Sequence, residues 1–176
     1  MRTETIPYSV ADVQVRGHAA DQDQVSAWIN LQQANRVIEG LLEHRLQSEV
    51  DLSWAEFELL MRLQVAAGHP LQMSEIAAQL INSPSGTTRI ADRLERAGLI
   101  ERETPAANRR VVHVKLTERG QDVLEHADHA FREVLHESFA THLTDGEVVE
   151  LRGILRKLLE RNGAWTETRC DPNLSR

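Results

Sequence analysis

The 176-residue chain has a single cysteine, and only 4% of its residues are aromatic. Cys170 has no partner within the chain, so no intramolecular disulfide framework holds the fold. A thiol sensor would need a lowered pKa, and one neighbouring arginine, Arg169, in a polar tail is thin support. No apolar run approaches the ~20 residues that span a bilayer, and the N-terminus lacks the apolar core of a signal peptide. A cytoplasmic protein that does not enter a membrane is therefore expected. Catalytic signatures are missing too: there is no Gly-rich phosphate loop, no nucleophile elbow and no spaced carboxylate pair in a plausible cleft. Neither an enzyme nor a bound cofactor is expected. His126, His129 and His136, with Glu125, recur at helical spacing, but no Cys/His cluster supplies a fourth ligand, so no metal is assigned. These histidines read as solvated or interface-facing groups that lend some pH sensitivity.

What is present is aliphatic. The chain is 41% hydrophobic, a composition of helices held together by Leu, Ile, Val and Ala. Its net charge of −7 argues at first against a polyanionic partner. The distribution reverses that. From Ser83 to Arg119 eight basic residues stand against five acidic ones, a local +3, which leaves −10 for the rest of the −7 chain. A basic reading head on an acidic body fits a protein that meets DNA through one face and resists it elsewhere.

The stretch Ser83–Thr117 carries that head. Ser83 is a good N-cap, Pro84 suits a first helical position, and Gly98 follows the last periodic residue, so a helix is predicted from about Pro84 to Ala97. Ile90 and Leu94, with Leu99 after the cap, form its inner stripe; Ser85, Thr88, Arg89, Asp92, Arg93 and Arg96 face outward. Hydroxyls and arginines on the exposed face are what a helix entering a major groove needs. The period then becomes strand-like: Leu99, Ile100, Arg102 and Thr104 form one strand, and Val111 to Leu116 another. Between them Pro105 and Asn108 favour a turn, placing Arg109 and Arg110 near a hairpin tip, where a wing would touch backbone or minor groove.

The remainder supports this unit. Residues 1–20 read as an arm, and Asp21 to Val50 as one long helix with Val25, Trp28, Leu31, Ile38, Leu42 and Leu46 along one face. Ser53 with Glu56 makes a capping box for a second helix whose core residues are Trp54, Phe57, Leu60, Met61 and Leu63. Leu71 to Met73 is a short extended piece, after which Ser74 caps a brief helix from Glu75 to Leu80. With the Pro84 helix it makes a helix-turn-helix. The backbone N–H of Ser74 is also a candidate phosphate contact. Thr117 caps a helix to about His142, and Thr144 with Glu147 opens the last, to about Asn162, where Gly163 stops it. The terminal helices carry more apolar surface than one winged helix covers, which points to a two-fold dimer and a palindromic site. The predicted organisation is an arm at 1–20, a dimerisation helix at 21–52, a winged helix-turn-helix domain at 53–117, dimerisation helices at 118–162 and a tail at 163–176. The fold class is mainly α with a small β-hairpin wing.

LSWAEFELL, then SEIAAQL, then SPSGTTRIADRLERAGLIER, then NRRVVHVKLTERG stand in the order and spacing of one family: over about residues 22–162 the chain resembles the MarR transcriptional regulators. The resemblance implies a triangular homodimer that binds a short inverted repeat in double-stranded DNA as a repressor, with a small aromatic or phenolic anion as effector. It places Ser85, Thr87, Thr88 and Arg89 at the recognition positions beside the capping Ser83 and the outward Arg93. Arg110 takes the place of the wing arginine, next to Arg109. Asn108 stands where the family usually has an acid, so a wing salt bridge would give way to weaker neutral hydrogen bonds. A narrower likeness, to the urate-responsive branch, rests on Trp28, Glu58 and Arg89 as ligand residues. From a different class, a helical interaction module whose winged helix docks a protein partner fits the same pattern.

Overall fold

The computed structural model describes residues 19–66, 70–80, 84–104 and 111–165. Two compact units divide between Arg36 and Val37. The described part of the first is the opening of helix α1, Gln22–Val50. Asp21 starts it: its carboxylate accepts the Gln24 N–H at 2.8 Å, and the Gln24 side chain accepts the Asp21 N–H at 3.0 Å. Val25, Trp28, Ile29 and Leu31 of this unit are exposed.

The second unit holds the rest of α1, then α2 (Trp54–Val65), β1 (Leu71–Gln72), α3 (Met73–Gln79), α4 (Pro84–Arg96), β2 (Ile100–Glu103), β3 (His113–Leu116), α5 (Glu118–Ser138), a 3-10 turn (Ala140–His142) and α6 (Asp145–Arg161). The mainly helical class with a small sheet is the one the sequence predicts. Capping does most of the punctuation. Ser53 and Glu56 form the expected box, with the Ser53 N–H and hydroxyl both donating to the Glu56 carboxylate at 2.8 Å. Thr117 accepts the Gly120 N–H at 2.9 Å, and Thr144 closes a box with Glu147. Gly98, at φ 71°, ends α4: its own N–H reaches the Glu95 carbonyl and the Leu99 N–H reaches that of Leu94, a pairing that needs a left-handed residue between them.

Three details differ from the sequence reading. The extended piece at Leu71 is a third strand, and the antiparallel order is β1-β3-β2, with Leu71 opposite Val114 and Arg102 opposite Val114 on the other side. Two residues carry no period, so only the partner strand reveals them. Ser74 is not the cap of α3. That helix begins at Met73 with Gln72 as N-cap, whose N–H donates to the Glu75 carboxylate at 2.7 Å. The last predicted turn of α5 is the separate 3-10 turn.

Helix α2 is central, packing against α3, α4, β3 and α5. Phe57, Leu59 and Leu60 are fully buried, joined by Leu46, Ile76, Leu94, Ile100 and Val114 in one core. Phe57 also stands 5.2 Å from Phe131 and 5.7 Å from Trp54, centroid to centroid, so an aromatic trio seats α5 on α2. On the surface Arg45 of α1 reaches Glu133 at 3.3 Å and Glu137 at 3.7 Å on α5; such exposed pairs contribute at most about 1 kcal/mol each.

The tightest joint is where α4 hands over to α5. Thr117 donates its N–H to the Leu99 carbonyl at 3.1 Å and its hydroxyl to the Gly98 carbonyl at 2.7 Å. Helix α5 then passes so close that a Cβ on Gly120 would lie 1.9 Å from the Leu99 oxygen. Backbone meets backbone there, so neither side can yield cheaply. Gly120→Ala is expected to lower stability by about 1–3 kcal/mol, read as a fall in the denaturant midpoint; Gly146→Ala, which adds a methyl to open space, leaves the midpoint unchanged or raises it.

Glu147 gives the fold a pH dependence of known sign. Hydrogen bonds from the Thr144 backbone and hydroxyl hold its carboxyl below the ordinary value of 4.5. A depressed carboxylate stabilises the folded state fully above that ordinary value and loses the contribution as pH falls through the lower, folded one. Acid titration followed by circular dichroism should therefore show α6 weakening below pH 4.5, and Glu147→Gln should flatten that part of the curve.

Candidate nucleic-acid interface

At 3.6 residues per turn, Ser85, Thr88, Arg89, Asp92 and Arg96 share one side of α4, while Thr87, Ala91 and Leu94 share the other. The burial follows. Ala91 and Leu94 lie in the core, and Ser85, Thr88, Arg89 and Arg96 are exposed. Thr87 corrects one assignment: at 0% exposure its side chain faces inward and cannot touch a base edge. The buried stripe is thus Thr87, Ala91 and Leu94, with Ile90 only partly covered.

Charge on the outer face is sorted by Arg102. This β2 residue, its side chain 21% exposed, brings its Nη1 to within 2.6 Å of the Asp92 carboxylate and 3.5 Å of Glu95, while Nη2 donates to the Thr88 carbonyl at 3.4 Å. Its buried Nε finds no partner among the described residues. Asp92 and Glu95 are the acids that would otherwise have neutralised the arginines of α4. With both drawn to the strand, Arg89 has no ion pair among the described residues, and Arg96 donates only to the Asp92 carbonyl of its own helix. The outer face therefore keeps the positive charge of Arg89 and Arg96.

Arg93 behaves differently from its neighbours. It sits at the edge of the outer face and turns back to α2, where its Nε lies 2.9 Å from the Glu56 carboxylate. Glu56 is 2% exposed and already accepts from Ser53. Arg93 is therefore an anchor as well as a surface cation, its side chain half exposed. Neither Glu56 nor Arg102 stood out in the sequence as a determinant of this face. Their partners lie far along the chain, and no local pattern marks them.

Ser74 is exposed in the first turn of α3. Ser83, Asn108, Arg109 and Arg110 lie outside the described residues. At the base of the wing, Glu101 and Lys115 stand opposite each other across β2 and β3 and pair at 2.9 Å. Trp28 is exposed in the first unit. In the second, Glu58 lies 3.7 Å from Arg62, the arginine-paired arrangement that would hold it with no ligand.

The sequence model of the MarR family matches residues 52–112, from the residue before Ser53 to the approach to β3. The transcriptional repressor MprA of Escherichia coli K12 is 37% identical over 105 residues, 60% of this chain and 59% of MprA. The multiple antibiotic resistance protein MarR of the same strain is 30% identical over 113 residues, 64% of this chain and 76% of MarR. A mutant of E. coli MarR, complexed with operator DNA, superposes with a TM-score of 0.69 at 28% identity, covering 80% of this chain and 99% of that one. The organohalide sensing regulator RdhR-CbdbA1625, in its 2,4-dichlorophenol bound form, gives 0.71 at 25% identity, covering 85% and 89%. The chain spans about six tenths of the length of the first curated relatives it matches.

Arg102→Met should release Asp92 and Glu95 onto the outer face. The expected cost in stability is small, about 1 kcal/mol, because both acids are more than 40% exposed and solvent screens the pairs. DNA affinity should fall more than stability does, and a titration against any duplex at low salt will show whether it does.

Proposed function

This chain belongs to the MarR family, and from that membership we propose that it is a transcriptional repressor that binds an inverted-repeat operator as a homodimer and releases it in response to a small aromatic or phenolic anion. The observation that carries the reading is the outer face of α4, where Ser85, Thr88 and Arg89 are exposed and the nearby acids are held by Arg102. Arg89 would hold guanine bidentately or clamp a phosphate. The hydroxyls would fix register on the backbone. In the family match, a relative bound to operator DNA gives this assignment its support, and a phenol-bound regulator supports the class of effector.

In this reading residues 53–117 are the DNA-binding lobe, and 21–52 with 118–162 are the dimerisation helices. Val149, Ile154 and Leu158 on α6 are exposed, as are Val37 and Leu41 on α1. Apolar residues on the terminal helices need cover, and a second copy covers them with the fewest new parts. Two copies then offer two α4 helices to the two half-sites of a palindrome.

Arg89→Ala decides the assignment of the reading face. Affinity for an inverted repeat from the protein's own upstream region should drop about fivefold to 150-fold, the roughly 1–3 kcal/mol typical of one base contact, with the midpoint of unfolding unchanged. Wild-type binding should weaken steeply as salt rises; salt-insensitive binding would favour a protein partner for the same face. Leu158→Arg should shift sedimentation toward the monomer and take operator binding with it.

A further inference from the structure

Asp92 and Arg93 are neighbours on α4, about 100° apart around its axis, and each is tied to a different element. Arg93 runs to α2, where its Nε stands 2.9 Å from the Glu56 carboxylate. Asp92 runs to β2, where the Arg102 guanidinium stands 2.6 Å away. Ala91 and Leu94, which flank the pair in the chain, are buried in the core. Apolar burial has no direction and seats the helix. Short charge-assisted hydrogen bonds are directional and fix how far it is rolled. A roll of α4 in either direction lengthens at least one of the two ties.

The rotational setting matters one turn earlier. Thr88 precedes Asp92, and Arg89 precedes Arg93, by one turn of the same helix, so both follow any roll. At the outer surface of a helix, about 5–6 Å from its axis, a roll of about 10° moves an atom by about 1 Å. That is enough to break a base contact, whose N–H···O distances fall between about 2.7 and 3.2 Å. Attraction to a phosphate falls off only slowly with distance. The roll of α4 therefore governs discrimination between sequences far more than adhesion to any duplex.

We propose that Arg93 is a positioning residue: it acts through Glu56 to hold the roll of α4, and sequence discrimination depends on that pair and not on a contact of Arg93 with DNA. The inference rests on the DNA-binding reading of α4 and assigns one of its arginines a different task. Arg93 has the exposure for a phosphate contact, its side chain being 52% exposed. Leaving Glu56, however, would strand a carboxylate that is 2% exposed. Removing one partner of a buried pair is strongly destabilising, whereas an ion pair formed at the surface returns little. The buried acid therefore keeps its cation.

The full chain and its variants are titrated with the inverted repeat and with a scrambled duplex of equal length, over a range of salt, beside a denaturant midpoint for each. Glu56→Gln keeps a side chain able to close the capping box and removes a negative charge that is buried. Charge alone predicts tighter binding of both duplexes. Positioning predicts a loss of about fivefold or more for the inverted repeat, with the scrambled duplex and the salt slope little changed. Arg93→Gln should show the same pattern, and the double variant should bind no worse than either single one, as residues that act as a unit do. The double variant also serves where Arg93→Gln fails to fold, because it leaves no buried charge without a partner. A phosphate contact by Arg93 predicts instead that both duplexes weaken and that the salt slope falls by about 1. That result overturns the proposal, as does a fall of both affinities in step with the midpoint. If the wild-type chain does not distinguish the two duplexes, the DNA-binding reading falls and the proposal with it; discrimination by the wild type that survives Glu56→Gln removes the positioning role alone.

Discussion

Helix α4 is tied to α2 through one buried carboxylate. Glu56 is almost fully removed from water, and an ion in that position costs several kcal/mol unless its oxygens are filled. Here they are: the Ser53 N–H and hydroxyl occupy one oxygen, and Arg93 occupies the other. The first pair fixes where α2 starts. The second fixes how α4 lies against it. Because one group serves both, the capping of α2 and the placement of α4 are a single constraint, and the cost of burying the charge is offset only when both are satisfied.

The electrostatics of the surface follow the same economy. In the repressor reading, a chain with net charge −7 needs its acids kept from the contact face. Arg102 does this from the neighbouring strand, drawing Asp92 and Glu95 toward β2 and leaving Arg89 to the solvent. The interaction need not contribute much to stability to matter, since pairs with half-exposed acids are worth about 1 kcal/mol or less in folding, whereas a misplaced negative charge at a phosphate would be repelled in every complex formed.

How much of this was legible in the sequence depends on the range of the physics. Caps act within one turn, so Ser53 with Glu56, Thr117, Thr144 with Glu147 and the break at Gly98 could all be read residue by residue, and the structure keeps each of them. The outer face of α4 was legible for the same reason, as a period. What was not legible depends on partners distant in the chain. Strand β1 exists only because β3 lies beside it. Thr87 takes a recognition position by likeness to the family, yet at its place on the helix it is fully buried. Arg93 looked like one more outward arginine until its partner on α2 was known. Glu56 carried a visible role, in the capping box, which concealed its second one.

The joint between α4 and α5 sets what kind of regulation such a fold can support. Thr117 bonds to both residues that end α4, and Gly120 lets α5 approach the Leu99 carbonyl closer than any side chain would allow. A contact made of backbone on both sides does not deform gradually; it either holds or opens. Helix α4 therefore cannot turn freely on its own axis while α5 stays where it is. If α5 belongs to the dimer, as the repressor reading has it, then the spacing of two reading heads and the orientation of each helix within its lobe are one variable. In that reading, whatever shifts the end of α4, where Glu56 holds Arg93 and Gly120 meets Leu99, shifts both together.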